Sequence, residues 1–292
     1  MRRLQQSAGL LAVLITAACA STAPAAAPPA PSQSARPASP GGSPGVTPSP
    51  KAQVAAAPRP RVIVSRYRAA DGSLVTLARF RGPVSYRLHS GSADPGSAAL
   101  PVVLAGPKVR GSERHRLLAA FNGGFLLSAG DGGYEQEGHV IRPLLNGLAS
   151  LVIDRSGTAR IGVWGSGLPR PGESVFSVRQ NLRLLVKHGR PAPSAADWQS
   201  WGATLGGGES VARSALGENA AGELIYAGSM SATPADLAAA LVQAGARTGM
   251  ELDINPEWVQ LDVSRAPGRG LRAVIPAQVR PGTGQLAGPG PG

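Results

Sequence analysis

The sequence predicts an α+β fold built on a mixed, largely antiparallel sheet with several hairpins and few helices, in a single domain. Three observations predict it. Short runs alternate apolar and polar residues with period two, which marks half-buried strands. Gly-containing turn sequences separate those runs. One stretch alone carries full helix punctuation, so helices are a minority element.

In chain order, Arg61–Arg68 alternates as a strand, and Asp71-Gly72 turns it into Leu74–Phe80, a hairpin. Val84–Leu88 and Val102–Ala105 are shorter strand candidates. Leu117–Phe121 is an apolar run stopped by Asn122-Gly123-Gly124, and a Gly-rich stretch, Ser128–Gly138, follows. Leu148–Asp154 and Thr158–Trp164 flank Arg155-Ser156-Gly157 as a second hairpin. Ser174–Asn181 and Leu182–Lys187 read as extended. Val211–Leu216 and Glu223–Ala227 flank Gly217–Gly222 as a third hairpin. The helix comes next. Thr233 caps it, Pro234 suits its first position, Asp236 suits its positive end and Gly245 stops it. Leu237, Leu241 and Ala244 form its apolar stripe. Met250–Asn255, Val259–Val263 and Leu271–Ile275 complete the strands.

The termini read differently. Arg2 and Arg3 precede an apolar run, Ala8–Ala18, too short to span a bilayer as a finished helix. It ends in Ala17-Ala18-Cys19, and Cys19 is the sole cysteine. Residues 1–19 therefore read as a bacterial lipoprotein signal, with lipid on Cys19, although Thr16 stands where Leu is usual. A plain secretory signal is the alternative, and both export the body. Residues 20–60, almost wholly Ala, Pro, Ser, Gly and Thr, read as a disordered linker that holds a domain away from a membrane. Residues 61–280 form the domain, and 281–292 a disordered tail. With no second cysteine, no disulfide forms within the chain.

The formal charge is +12, and the five basic residues before position 61 leave +7 on the folded body. Codon bias toward Arg accounts for most of that excess. The remainder suits attraction to anionic envelope polymers. The basic residues are scattered without interleaved aromatics, which argues against a nucleic-acid partner.

Several chemistries are disfavoured. The body holds no cysteine nucleophile, no Gly-x-Ser-x-Gly turn, no His-Glu-x-x-His and no dinucleotide fingerprint. Gly206-Gly207-Gly208 lacks the Lys of a phosphate loop and reads as a turn. Carboxylates, amides, arginines and glycine-lined backbone remain. In Met250–Asn255, alternation turns Met250, Leu252 and Ile254 to a core and Glu251, Asp253 and Asn255 to the other face. Pro256 should end pairing there. Two carboxylates and an amide at a strand end can bind a metal, hold a sugar or do acid–base work; an ordinary solvated strand face is the bland alternative. No metal motif appears and the cofactor stays unknown, a divalent cation at these carboxylates remaining open.

Four ordered stretches carry a family resemblance. They are Ala119-Ala120-Phe121-Asn122-Gly123-Gly124-Phe125, Gln180–Gly189, Arg213-Ser214-Ala215-Leu216-Gly217, and the helix–glycine–strand unit Thr233–Asp253. Together they resemble the phosphodiester glycosidase family, across about residues 61–278. The family's Leu-Asp-Gly-Gly-Gly-Ser is replaced here by Leu252-Asp253-Ile254-Asn255-Pro256-Glu257. The resemblance implies glycosidase chemistry on a sugar–phosphodiester, with Asp253 and Glu251 as the acid–base pair.

On that reading Asn122, Gly123 and Gly124 present an amide and backbone N–H groups to substrate, or else form a turn needing positive φ. Arg213 is a bidentate clamp for a phosphodiester, or else a surface arginine. Asn181 and Asn255 join the pocket, and Glu137 is a reserve carboxylate. The sequence thus points to an exported, lipid-anchored glycoside hydrolase acting on a sugar–phosphodiester or related cell-envelope glycan. A non-catalytic glycan-binding domain on the same fold is the alternative.

Overall fold

A computed structural model of the chain describes residues 12–17, 60–90, 109, 112–130, 132–204, 206–265 and 269–280. Cys19, the expected linker, the strand expected at Val102–Ala105 and the expected tail lie outside these residues. The elements run β1 (Ala12–Ala17), β2 (Val62–Arg68), β3 (Leu74–Phe80), β4 (Val84–His89), α1 (Ser112–Arg116), β5 (Leu117–Asn122), β6 (Tyr134–Gln136), β7 (His139–Arg142), β8 (Ala149–Ile153) and β9 (Ala159–Trp164). There follow β10 (Gly167–Leu168), β11 (Ser177–Gln180), β12 (Leu184–Lys187), β13 (Arg190–Pro191), β14 (Val211–Asn219), β15 (Leu224–Ala232), α2 (Pro234–Gln243), β16 (Ala246–Glu251), β17 (Leu261–Ser264) and β18 (Leu271–Ala273).

The fold is α+β and sheet-rich. One sheet of the described residues has seven strands in the order β13-β12-β16-β14-β15-β3-β2, a second has six (β10-β9-β8-β11-β6-β7), and a third has five (β18-β17-β5-β1-β4). Neighbours pair antiparallel except the short β9–β10 contact. The anticipated hairpins are present at β2–β3, β8–β9 and β14–β15. The third turns later than expected, because β14 runs on to Asn219. There the Asn219 carboxamide oxygen accepts the N–H groups of Ala221 and Glu223, and that local bond fixes the reversal. The Gly-rich stretch before Gly138 contains β6, which its composition hid.

Ala12–Ala17 lies inside the expected leader, yet here it is β1, the strand between β4 and β5. Its register runs from Ala12 opposite His89 to Ala17 opposite Val84 on one side, and from Ala12 opposite Asn122 on the other.

The core lies where the three sheets meet. Phe80 from the seven-stranded sheet stacks on Phe121 from the five-stranded one at 5.7 Å, and Phe121 meets Tyr226 at 5.1 Å. Leu151 and Ile153 bring in the six-stranded sheet. The opposite face of the seven-stranded sheet packs under α2. Ala215, Ile225 and Leu77 join Leu237, Leu241 and Trp201 there, while their chain neighbours Leu216, Tyr226 and Ala78 join the inter-sheet core. This sheet is therefore buried on both faces, whereas alternation alone suggested one.

The helix is capped as its sequence requires. Thr233 Oγ1 accepts the Asp236 N–H at 3.1 Å, and the Asp236 carboxylate accepts the Thr233 N–H at 2.9 Å. Its close seat depends on two glycines opposite each other, Gly217 in β14 and Gly249 in β16. A Cβ on Gly217 would lie 2.8 Å from the Ala246 Cβ and 3.1 Å from Leu241; one on Gly249 would lie 3.1 Å from Leu241.

Candidate functional site

The site grows from the end of β16. Leu252 N donates to Ser214 O and Ser214 N to Asp253 O, both at 2.8 Å, so the chain stays zipped to β14 for two residues past the strand. It then turns on its own side chains. Asp253 Oδ1 accepts the Asn255 N–H at 2.8 Å, and Asn255 Oδ1 accepts the Glu257 N–H at 2.9 Å. Consecutive carboxylate- and amide-anchored turns thus form the loop without glycines.

Asp253, Ile254 and Asn255 line one pocket with Phe125, Leu126, Ala129, Gly202, Ala203 and Trp258, around a cavity of about 220 Å³. Alternation ends with β16, so Ile254, expected in the core, faces this pocket beside Asp253. Gly202 fits the wall because it has none of a side chain's bulk. Its φ is +95°, and a Cβ there would lie 2.8 Å from Ile254 and 3.1 Å from Phe125.

Asp253 is only 4 % exposed. Burial pushes its carboxyl up to about 7, while the N–H groups of Asn255 and Ile254 and the nearby Arg179 charge pull it back. A carboxyl near neutrality can both give and take a proton.

Glu251 takes a different position. It points to the α2 side of the sheet, fully buried, with Oε1 2.9 Å from Arg213 Nη1. Arg213 is equally buried and also donates from Nη1 to Trp201 O at 3.4 Å. Among the described residues, Arg213 Nε and Nη2 and Glu251 Oε2 have no hydrogen-bond partner. Burial raises the Glu251 carboxyl, and the Arg213 guanidinium opposes that shift. The expected face away from the core is thus not a solvent face. Trp201 and α2 cover it, so the two carboxyls do not share an open cleft and Arg213 reaches no ligand in this pocket.

The amides are structural braces. Asn122 Nδ2 donates to Ser214 Oγ at 2.9 Å, and its Oδ1 accepts Tyr226 OH at 2.9 Å and Gln260 N at 3.3 Å. At 1 % exposure, Asn122 ties β5, β14 and β15 together rather than presenting its amide outward. Gly123 and Gly124 are buried behind it, and Gly124 takes a φ of +135°, as the turn alternative required. Asn181 Nδ2 donates to both Glu251 O and Leu252 O at 2.8 Å, holding the strand end from the other side. Glu137 is not at the pocket. It occupies the β6–β7 turn with φ +51°, its N–H bonded to Ser177 Oγ. Arg179, buried, donates to Gly133 O at 3.2 Å and to Phe125 O, fixing the loop that supplies Phe125 and Leu126.

Asn122, Arg213 and Asp253 therefore converge on one strand end through Ser214 and Glu251, but of the three only Asp253 lines the pocket. Sequence reasoning missed Trp258, Leu126, Ala129 and the Gly202-Ala203 wall. Trp258 carried a signal, being one of four tryptophans and only five residues beyond Asp253. Among the described residues no cluster of three or more His, Cys, Asp or Glu could hold a metal.

No protein-family model matches the chain, and no curated protein matches it. Among solved structures, it is similar to the zebrafish N-acetylglucosamine-1-phosphodiester alpha-N-acetylglucosaminidase catalytic domain auto-inhibited by its pro-peptide. The identity is 14 % and the TM-score 0.48, over 77 % of this chain and 80 % of that one. A hypothetical protein from Synechocystis is similar at 12 % identity and a TM-score of 0.45, over 76 % of this chain and 60 % of that one. These are distant likenesses of fold.

Proposed function

We propose that the chain is an exported glycoside hydrolase of the cell envelope that cleaves a glycosidic bond with Asp253 as its acid–base group. One observation carries this reading: a carboxyl held near neutrality on a residue that lines a pocket with room for one ring. Asp253 in its protonated form gives its proton to the leaving oxygen as the bond from that oxygen to the anomeric carbon breaks. Water then adds to the anomeric carbon and returns a proton to the Asp253 carboxylate, so the group ends as it began. Arg179 and the Asn255 N–H favour the carboxylate between those steps. Glu251 is a positioning residue in this scheme and not a second catalytic carboxyl, because it is fully buried against Arg213 and does not line the pocket.

The test is turnover by the purified chain on a panel of envelope glycans, sugar–phosphodiesters and simple glycosides. Asp253→Asn should lower kcat/KM by about 10²–10⁴ on any substrate found. Near-full activity in that variant overturns the mechanism, and binding of a glycan without turnover on any substrate favours the glycan-binding reading.

A further inference from the structure

We propose that the Asp253 pocket takes a neutral ring with an apolar face, such as a simple sugar or an aromatic aglycone, and excludes a phosphodiester. The proposal deepens the preceding reading and borrows from it only the location of the site.

The wall composition is the first argument. Phe125, Leu126, Ala129, Ile254 and Trp258 supply apolar surface, and among the described residues the one ionisable lining residue is Asp253, an acid. A pocket built for a phosphodiester needs a cation or a fan of N–H donors at the anion, because a buried unpaired charge is costly. Ionised Asp253 would add repulsion.

The nearby cations are the second argument. Arg213 is 0 % exposed and held by Glu251 and Trp201 O. Arg179 is 2 % exposed and donates to Gly132 O, Gly133 O and Phe125 O. Arg280 lies 4.0 Å over the Trp258 ring and 3.4 Å from the Glu257 carboxylate. Each is engaged with the protein, and none lines the cavity. Their arrangement leaves the pocket without a cation among its described lining residues.

The aromatic pair is the third argument. Trp258 and Phe125 flank a cavity of about 220 Å³, room for one ring. Aromatic rings offer large apolar contact, and Arg280 holds Trp258 in place.

The experiment is calorimetric titration of the full chain with matched probes: phenyl gluco-, galacto- and mannopyranosides of both anomers, and the corresponding phenyl sugar-1-phosphodiesters. At least one neutral probe should bind at least tenfold more tightly than its phosphodiester counterpart. Trp258→Ala should weaken that binding at least tenfold. Because Trp258 is itself buried, an exposed position supplies the second variant: Ala129→Arg places a cation on the wall and should narrow or reverse the preference. Equal or tighter binding of the phosphodiesters, no binding of any probe, or a preference unmoved by Ala129→Arg overturns the proposal. A chain that binds the neutral probes but cleaves none fails as a hydrolase and leaves this inference standing.

Discussion

Ser214 holds Asp253 by three bonds: its N–H and its Oγ both donate to Asp253 O, at 2.8 and 3.2 Å, and its Oγ accepts the Asp253 N–H at 3.1 Å. The same hydroxyl accepts from Asn122 Nδ2. One small side chain thus sets the height at which the acid sits over the pocket.

Ser214→Ala should therefore cost about 1–3 kcal/mol, since it leaves buried donors of Asn122 and Asp253 unmade. Thermal denaturation reads that loss as a lowered midpoint. Turnover should fall with it through a displaced Asp253, and Ser214→Thr, which keeps the hydroxyl, should recover part of both.

Asp253 makes stability depend on pH in a definite direction. Its folded carboxyl is raised from 3.8 to about 7, so between those values the folded state holds more proton than the unfolded state. Stability is then lost as pH rises through that window. Asp253→Asn removes the buried charge and keeps an oxygen for the Asn255 N–H. Its thermal midpoint should exceed that of the parent at pH 8, by the equivalent of a few kcal/mol, and the gap should close near pH 4. An Asn variant less stable than the parent at pH 8 contradicts this account of the site.

Glu251→Gln should behave in the opposite way. Arg213 keeps its charge in any protein environment, and neutralising its partner leaves a buried cation uncompensated. The expected loss is about 3–5 kcal/mol above pH 8, where the Glu251 carboxyl, raised by burial to about 8, is ionised. Replacing both residues with apolar ones, Arg213→Met with Glu251→Leu, should be milder than Glu251→Gln alone. Urea unfolding of the parent and the two variants decides it.

Gly217→Ala probes the seat of α2. The new methyl would meet Ala246 at 2.8 Å and Leu241 at 3.1 Å, pushing the helix off the sheet. A cost of about 1–3 kcal/mol is expected from such overpacking. Gly222→Ala, in the open turn of the same hairpin at φ +76°, meets no neighbour and should act through backbone strain alone.

Much of the architecture was legible because it rests on local signals. The Thr233–Asp236 cap, the three hairpins and the β16 alternation all follow from neighbouring residues. Alternation also divided Met250 from Glu251 correctly: one lies in the inter-sheet core and the other on the α2 side. What it could not supply was the second layer. That Trp201 and α2 would cover the polar face depends on contacts between residues distant in sequence, such as Arg213 with Glu251, 38 positions on. Asn122 was found as a special position, but its use was not. A buried amide linking three backbone and side-chain partners leaves the same sequence mark as one that greets a ligand. The pocket was obscured for a related reason, since Phe125, Ala203 and Trp258 meet only after three separate loops have folded.

β1 sets a clock. Ala12 pairs with His89 and with Asn122, partners far along the chain, and such distant pairings form late because their loops must close first. A leader must be handed to the export machinery as accessible, extended chain. Once the β4–β1–β5 ladder closes, the same residues are clasped from both edges. Under the proposed export, transport would be decided by a race between synthesis and folding, and the slow closure of a long-range ladder would give transport its head start.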